Sequence, residues 1–238
     1  MCTLSFLPTN EGWIFTHNRD ETVLRGLAEA PEFRDLCGVH ALWPVDPKGG
    51  GTWWAATSKQ TSLFLLNGAK VKHKRKAEYK HSRGLLIPAF LFHQGAEDFL
   101  SHYQFEDLEE FTLVGIDNNK LFEIIWDGKV PELNFLPLNE AKIWSSCTLY
   151  PPERQEQRRA WFTEFLASRP LNAEEAMHFH TQPKGVEPEF EIVMQRNSHL
   201  RTVAISQVEC KDNQLSTTYK DLEKQTTSEY SFKTQNAL

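Results

Sequence analysis

Strand and helix segments fall into separate blocks along this 238-residue chain, which predicts an α+β fold with mainly antiparallel sheets. Two observations carry that expectation. Short segments rich in Val, Thr and aromatics recur in pairs around turn residues, the pattern of hairpins. The helical stretches stand between strand blocks, without the βαβα alternation that builds a parallel sheet. No GxGxxG or GxxxxGKS run occurs, so nucleotide-fold readings have no support.

Taken in order, Cys2–Leu7 and Trp13–Asn18 flank the turn-rich Pro8-Thr9-Asn10-Glu11-Gly12 and read as a hairpin with a five-residue connection. Arg19 to Gly51 reads as a long irregular stretch. Thr52–Thr57 and Ser62–Leu66 form a second hairpin around Ser58-Lys59-Gln60, and the basic residues 70–83 a loop. Leu85–Gln94 and Glu97–Tyr103 are expected helices; Phe111–Ile116 and Leu121–Trp126 are strands around Asp117-Asn118-Asn119; Ile143–Thr148 is a short strand. The clearest helix is Glu153–Ala167, with Ala160, Trp161, Phe165 and Leu166 on one stripe and Pro170 ending it. Asn172 caps a second helix, with Glu175 in capping-box position. Ile192–Gln195, Leu200–Val208, Ser216–Leu222 and Ser228–Thr234 return to strand. No repeat or low-complexity linker divides the chain, so residues 1–238 are expected to form a single domain.

Composition narrows the function classes. Apolar residues make up 40% and charged residues 24%, ordinary for a globular protein, and 16 Phe with 7 Trp argue against disorder. No apolar run approaches the ~20 residues of a membrane helix, so no membrane span is expected. A net charge of −6 speaks against a nucleic-acid binder. Met1 to Pro8 carry neither a basic segment nor a long apolar one, which leads to the expectation of a cytoplasmic protein. The four cysteines are widely spaced with no CxxC, which suits free thiols and not a zinc site. His178 and His180 are two apart and do not share a helix face, so neither a metal nor any other cofactor is expected.

The first hairpin holds the chemistry. A turn centred near Asn10 pairs residues whose numbers sum to about 20, which sets Cys2 opposite Asn18 within one residue. Arg19 and Asp20 then lie at the strand end beside the terminus. Removal of Met1 would leave a thiol and an α-amine on Cys2, a set suited to N-terminal nucleophile chemistry. A neighbouring arginine favours the thiolate, and Asp20 is placed to orient the amine. The plainer alternative is a solvated loop of four polar residues, Asn18-Arg19-Asp20-Glu21.

Met1-Cys2, Asn18-Arg19-Asp20-Glu21, Gly50-Gly51-Thr52-Trp53, Leu66-Asn67-Gly68, Ser82-Arg83-Gly84 and Arg201-Thr202 together resemble the NRDE family, also called the transport and Golgi organization protein 2 family. That family is similar in turn to N-terminal nucleophile (Ntn) hydrolases of the cysteine type. The resemblance implies a four-layer αββα sandwich and cleavage of a small acyl amide through acyl transfer to Cys2. It implies polar support from Arg19 and Asp20, an oxyanion donor in Asn67, and completion of the charge network by Arg201. Asn18 and Ser146 would border the substrate. One departure stands out: Ser146 occupies a segment where relatives carry Asn. Read without the family, Asn67-Gly68 is a turn signal, and Arg201 is a strand-face arginine paired with an acid.

Lys70, Lys72, Lys74, Arg75, Lys76, Lys80 and Arg83 form a basic run that only Glu78 opposes locally. Its plain reading is a solvated loop. Its functional reading is a basic lip, with Lys74, Arg75 and Arg83 drawing a small anionic ligand or substrate. The competing function is a non-catalytic binding or trafficking scaffold for haem or acyl-CoA/lipid ligands. A homo-oligomer is compatible with either.

Overall fold

The computed structural model describes residues 2–212 and 214–234, which fall into two compact units. In chain order the strands and helices are β1 (Cys2–Thr9), β2 (Gly12–Thr22), β3 (Glu29–Leu36), β4 (Val39–Val45), β5 (Trp54–Thr57), β6 (Ser62–Asn67), α1 (Leu86–Phe90), α2 (Ala96–His102), β7 (Phe111–Asp117), β8 (Lys120–Trp126) and β9 (Pro131–Leu136). The chain continues through β10 (Lys142–Ser145), α3 (Pro152–Ser168), α4 (Ala173–Thr181), β11 (Leu200–Lys211), β12 (Gln214–Asp221) and β13 (Thr226–Lys233). The α+β class with antiparallel sheets is what the sequence predicts. Among the described residues no helix is long and apolar enough to cross a membrane.

The first unit comprises the chain up to Gly26 and Asn139–Lys233. Its antiparallel sheet has the order β10-β1-β2-β11-β12-β13. The β1–β2 connection is tighter than expected: Pro8 pairs with Trp13 and Thr9 with Gly12, so the turn is Asn10-Glu11 alone. Gly12 is there because of a close approach. A Cβ on it would lie 1.9 Å from the Cys210 carbonyl oxygen of β11. Gly12→Ala is expected to cost about 2–4 kcal/mol through forced separation of β2 from β11. Urea denaturation checks this, and an unchanged midpoint contradicts it.

On one face of this sheet, Leu7, Ile14 and Ile143 pack with Phe162 and Phe165 of α3 and Ala176 and Phe179 of α4. The buried stripe of α3 is rotated from the expected one. Arg158, Phe162 and Phe165 are buried, Trp161 and Leu166 only partly, and Ala160 is exposed. Arg158 is 1% exposed, because its guanidinium donates to Thr3 Oγ1 (2.7 Å) and to the carbonyls of Phe190 and Glu191 and stacks 3.6 Å over the Tyr150 ring. The Asn172 carboxamide accepts from Glu175 N–H at 2.9 Å and starts α4. Ile192–Gln195 is not a strand; it contributes a single bridge, Gln195 to Arg201.

The second unit, Leu27–Leu138 with Thr234, holds the sheet β3-β4-β5-β6-β7-β8-β9. Its core gathers Leu63, Leu65, Phe111, Leu113, Phe122 and Ile124 from the strands with Leu86, Ile87, Phe90 and Phe99 from the helices. The stretch expected to be irregular is ordered instead. β2 runs on to Thr22, and β3 and β4 pair around a Cys37-Gly38 turn with φ of 54° and 86°. β3 escapes sequence reading because charged residues and Pro31 interrupt it, which its edge position tolerates. β9, also an edge strand and opened by Pro131, escapes for the same reason. The expected helix Leu85–Gln94 shortens to Leu86–Phe90, preceded by a 3-10 turn at Arg83–Leu85.

Candidate active site

Cys2 begins β1 and its Cα partner across the ladder is Arg19, one residue from the nominal expectation and within its tolerance. Directly opposed residues share a face, so the Cys2 and Arg19 side chains leave the sheet on the same side, away from the face carrying α3 and α4. Both are buried, Cys2 at 2% exposure. Burial pushes the Cys2 thiol up; the Asp20 charge adds to the rise and the Arg19 guanidinium opposes it. Cys2 therefore rests as a thiol, and a nucleophile here needs a base. Arg19 Nη2 lies 3.9 Å from Glu21 Oε2, and Glu21 also faces Arg25 at 3.9 Å.

The residues behind Cys2 are fixed by its neighbours in the sheet. Ser146, just past β10, donates its N–H to the Cys2 carbonyl at 3.0 Å, and its hydroxyl meets Thr148 Oγ1 at 3.0 Å. The Ser146 carbonyl accepts from Tyr150 N–H. The Tyr150 hydroxyl then donates to Asp20 Oδ2 at 2.7 Å, while Thr202 donates to Asp20 Oδ1 at 2.7 Å. Burial raises the Asp20 carboxyl above its ordinary value, and these two hydroxyls hold back part of that rise. Burial and the Asp20 charge push the Tyr150 phenol well up, so it stays a donor. Strand alternation puts Asp20 on the opposite face from Cys2.

Asn18 is on that same far face, fully buried. Its Nδ2 donates to the carbonyls of His180 (3.0 Å) and Ile192 (3.1 Å), and its Oδ1 accepts from His180 Nδ1. His180 Nε2 is thereby the acceptor, and it takes the Ser5 hydroxyl at 2.7 Å. Burial lowers His180 to about 3, so the ring is neutral. Sequence reasoning missed Tyr150, Thr202, Arg158 and His180. Of these only Thr202 had a signal, its place beside Arg201. Arg201, opposite Glu21 in register, forms a paired contact with Glu223 at 2.7 and 2.6 Å, the pairing its plain reading anticipates.

In the second unit, Asn67 ends β6 opposite Phe111, and Gly68 follows in the left-handed region with φ 84°. The basic run there is not merely solvated. His73, Arg75 and Arg83 face Glu109 at 3.4, 3.6 and 3.3 Å, Lys76 faces Asp107 at 3.6 Å, and Lys70 grips Glu132 at 2.7 Å. Arg83 also donates to the Glu110 carbonyl at 2.8 Å. Its opposing acids come from residues 107–110 and Glu132, beyond the local window. Lys72 and Lys74 are exposed and carry no ion pair among the described residues.

Two antiparallel sheets with their helices give this chain an α+β fold of the Ntn-hydrolase type. The structure of a Caenorhabditis elegans N-acylethanolamine-hydrolyzing acid amidase (NAAA) ortholog is similar with a TM-score of 0.57, at 11% identity, over 87% of this chain and 92% of that one. A mutant conjugated bile acid hydrolase from Clostridium perfringens is similar at TM-score 0.48 and 10% identity, over 97% and 92% of the two chains. A second variant of that enzyme reaches 0.49 at 9% identity, over 100% and 98%. The chain belongs to the Transport and Golgi organisation 2 (TANGO2) family, whose profile matches residues 1–234. No curated protein matches it significantly.

Proposed function

We propose that this protein is a cysteine Ntn amidohydrolase acting on a small, anionic acyl amide. The observation that carries the reading is the pairing of Cys2 with Arg19 at the head of the first hairpin, in a family member with an Ntn-type fold. Once Met1 is removed, the α-amine of Cys2 takes the thiol proton as Sγ attacks the amide carbonyl. The ammonium then gives that proton to the leaving nitrogen as the C–N bond breaks, leaving a thioester. Water, deprotonated by the same amine, attacks the thioester, releases the carboxylic acid and restores the thiol. Arg19, directly opposite Cys2 in register, favours the sulfur anion, and the family resemblance carries the roles of Asp20, Arg201 and the oxyanion donor Asn67, the last with the largest electrostatic return. The four cysteines form no disulfide among the described residues, and a cytoplasmic setting is part of this reading.

The anionic preference rests on Lys72 and Lys74, whose charges keep no acidic partner among the described residues. Lys72→Gln with Lys74→Gln is expected to raise KM for a carboxylate-bearing substrate severalfold at low salt, with the difference fading as salt rises. Equal KM at low salt contradicts that role. The deep burial of Cys2 favours the second reading, a non-catalytic scaffold for haem or acyl-CoA/lipid ligands. A screen of acylated amino acids, lactones and haem against wild type and Cys2→Ala separates the two. Turnover lost with binding kept supports the hydrolase; binding with no turnover by either protein supports the scaffold.

A further inference from the structure

Within the second unit, three side chains outside the proposed hydrolase site converge on one point. His93 follows α1, and Asp98 and His102 stand four apart on α2, on one face. The Asp98 carboxylate is shared between the two rings, with Oδ2 3.1 Å from His93 Nδ1 and Oδ1 2.8 Å from His102 Nδ1. The imidazoles stack with centroids 6.4 Å apart and planes 20° from parallel. The three ligand atoms all lie within 4.8 Å of one another. We propose that His93, Asp98 and His102 form a binding site for one divalent transition-metal ion of the zinc class.

Each Nδ1 faces a carboxylate oxygen, and His102 Nδ1 also lies 3.0 Å from the Asp98 backbone carbonyl one helical turn earlier. A divalent cation at the point of convergence takes one lone pair from each imidazole, with the ring proton carried on Nε2, and one from the Asp98 carboxylate, which offsets one of its two charges. Two imidazole nitrogens and one carboxylate oxygen suit zinc, cobalt, nickel or copper, whereas calcium and magnesium call for more oxygens. The set is also held in place before any ion arrives. Gln94 N–H donates to Asp98 Oδ2 at 2.9 Å, and the His93 ring packs edge-on to Phe99 at 5.3 Å.

A second observation concerns the open coordination position. His93 and Gln94 line a cavity of about 370 Å³, together with Lys59, Thr61, Asp117 and Asn118. Of the three ligands only His93 borders this cavity, and three protein ligands leave a fourth position for water or an exogenous donor, the pattern of sites that keep an exchangeable position. The cavity is built around Asp117, which accepts from the Thr61 hydroxyl at 2.6 Å, and around Gly95, whose added Cβ would meet Asp117 Oδ2 at 2.9 Å.

The test is a titration of the untagged, chelator-stripped full chain with Co²⁺, followed by visible absorption, and by Zn²⁺ competition. One equivalent is expected to bind with Kd below about 50 µM, weakened at least tenfold by His102→Ala. His102 is exposed, so that variant is expected to keep the wild-type circular dichroism. Should His102→Ala misfold, Asp98→Asn serves, with the same tenfold expectation. The exposed Cys37 thiol also attracts such ions, but binding there would not depend on His102. Weaker affinity, or binding that loses less than tenfold in the variant, overturns the proposal.

Discussion

Cys2→Ala is expected to lower amide turnover at least about a thousandfold while leaving ligand affinity within a few fold, since removing an attacking group abolishes the covalent step without emptying the site. Loss of the sulfur from a buried position costs on the order of 1 kcal/mol, too little to unfold the chain. The size of the kinetic effect follows from the state of the thiol. Burial holds Cys2 protonated, and Arg19 beside it offsets only part of that. Neither group alone generates a thiolate, so activity depends on sulfur and amine together. Cys2→Ser, which keeps the amine and a weaker nucleophile, is expected to fall between the two. Wild-type rates in Cys2→Ala would remove Cys2 from the chemistry, whatever the fold.

Acid is expected to destabilise the first unit steeply, because buried histidines there resist taking up a proton. Folded His180 holds its neutral form down to about 3, against an ordinary value of 6.5, because burial and the charges of Lys184 and Arg158 disfavour the imidazolium. Between those two values the unfolded chain binds a proton that the folded chain does not. Stability is therefore full above pH 6.5 and falls as pH drops toward 3, by up to about 1.4 kcal/mol per pH unit for this one ring. Buried His17, lowered well below its ordinary value chiefly by burial, acts with the same sign. Asp20 acts with the opposite sign: its raised carboxyl takes a proton in the folded chain first and returns part of the loss. Urea denaturation from pH 7 to pH 4 measures the slope. His180→Gln is expected to cost about 2 kcal/mol at pH 7, from the Ser5 and Asn18 bonds, yet to flatten the slope by about one proton. Parallel stability curves for the two proteins contradict this account.

These two expectations divide between what the sequence makes legible and what it hides. The hairpin pairing Cys2 with Arg19 is legible because its two arms are apolar and close in sequence. The shift of one residue from the centre of that range arose where Pro8 and Gly12, ordinary turn residues, pair within the ladder instead. The support behind Cys2 is not legible. Tyr150 and Thr202 reach Asp20 across 130 and 182 residues, and no local pattern marks a hydroxyl that will meet a buried carboxylate. His180 shows the same limit: the HxH spacing correctly separates exposed His178 from its neighbour, but the bond to Ser5 spans 175 residues. The basic run misleads in the other direction. A charge count over 70–83 sees only Glu78, while Glu109 lies beyond the window and draws in His73, Arg75 and Arg83 together. Asp98 and His102, a four-residue step on one helix, go unread because His93 joins them only through the turn between α1 and α2.

Intact-mass spectrometry of the purified protein after brief treatment with an acylating amide or lactone probes the central claim most directly. The expected product is a chain lacking Met1 and carrying one acyl group, mapped by fragmentation to Cys2 and absent from Cys2→Ala. Retention of Met1, or acylation confined to Cys37 with Cys2 unmodified, would contradict it.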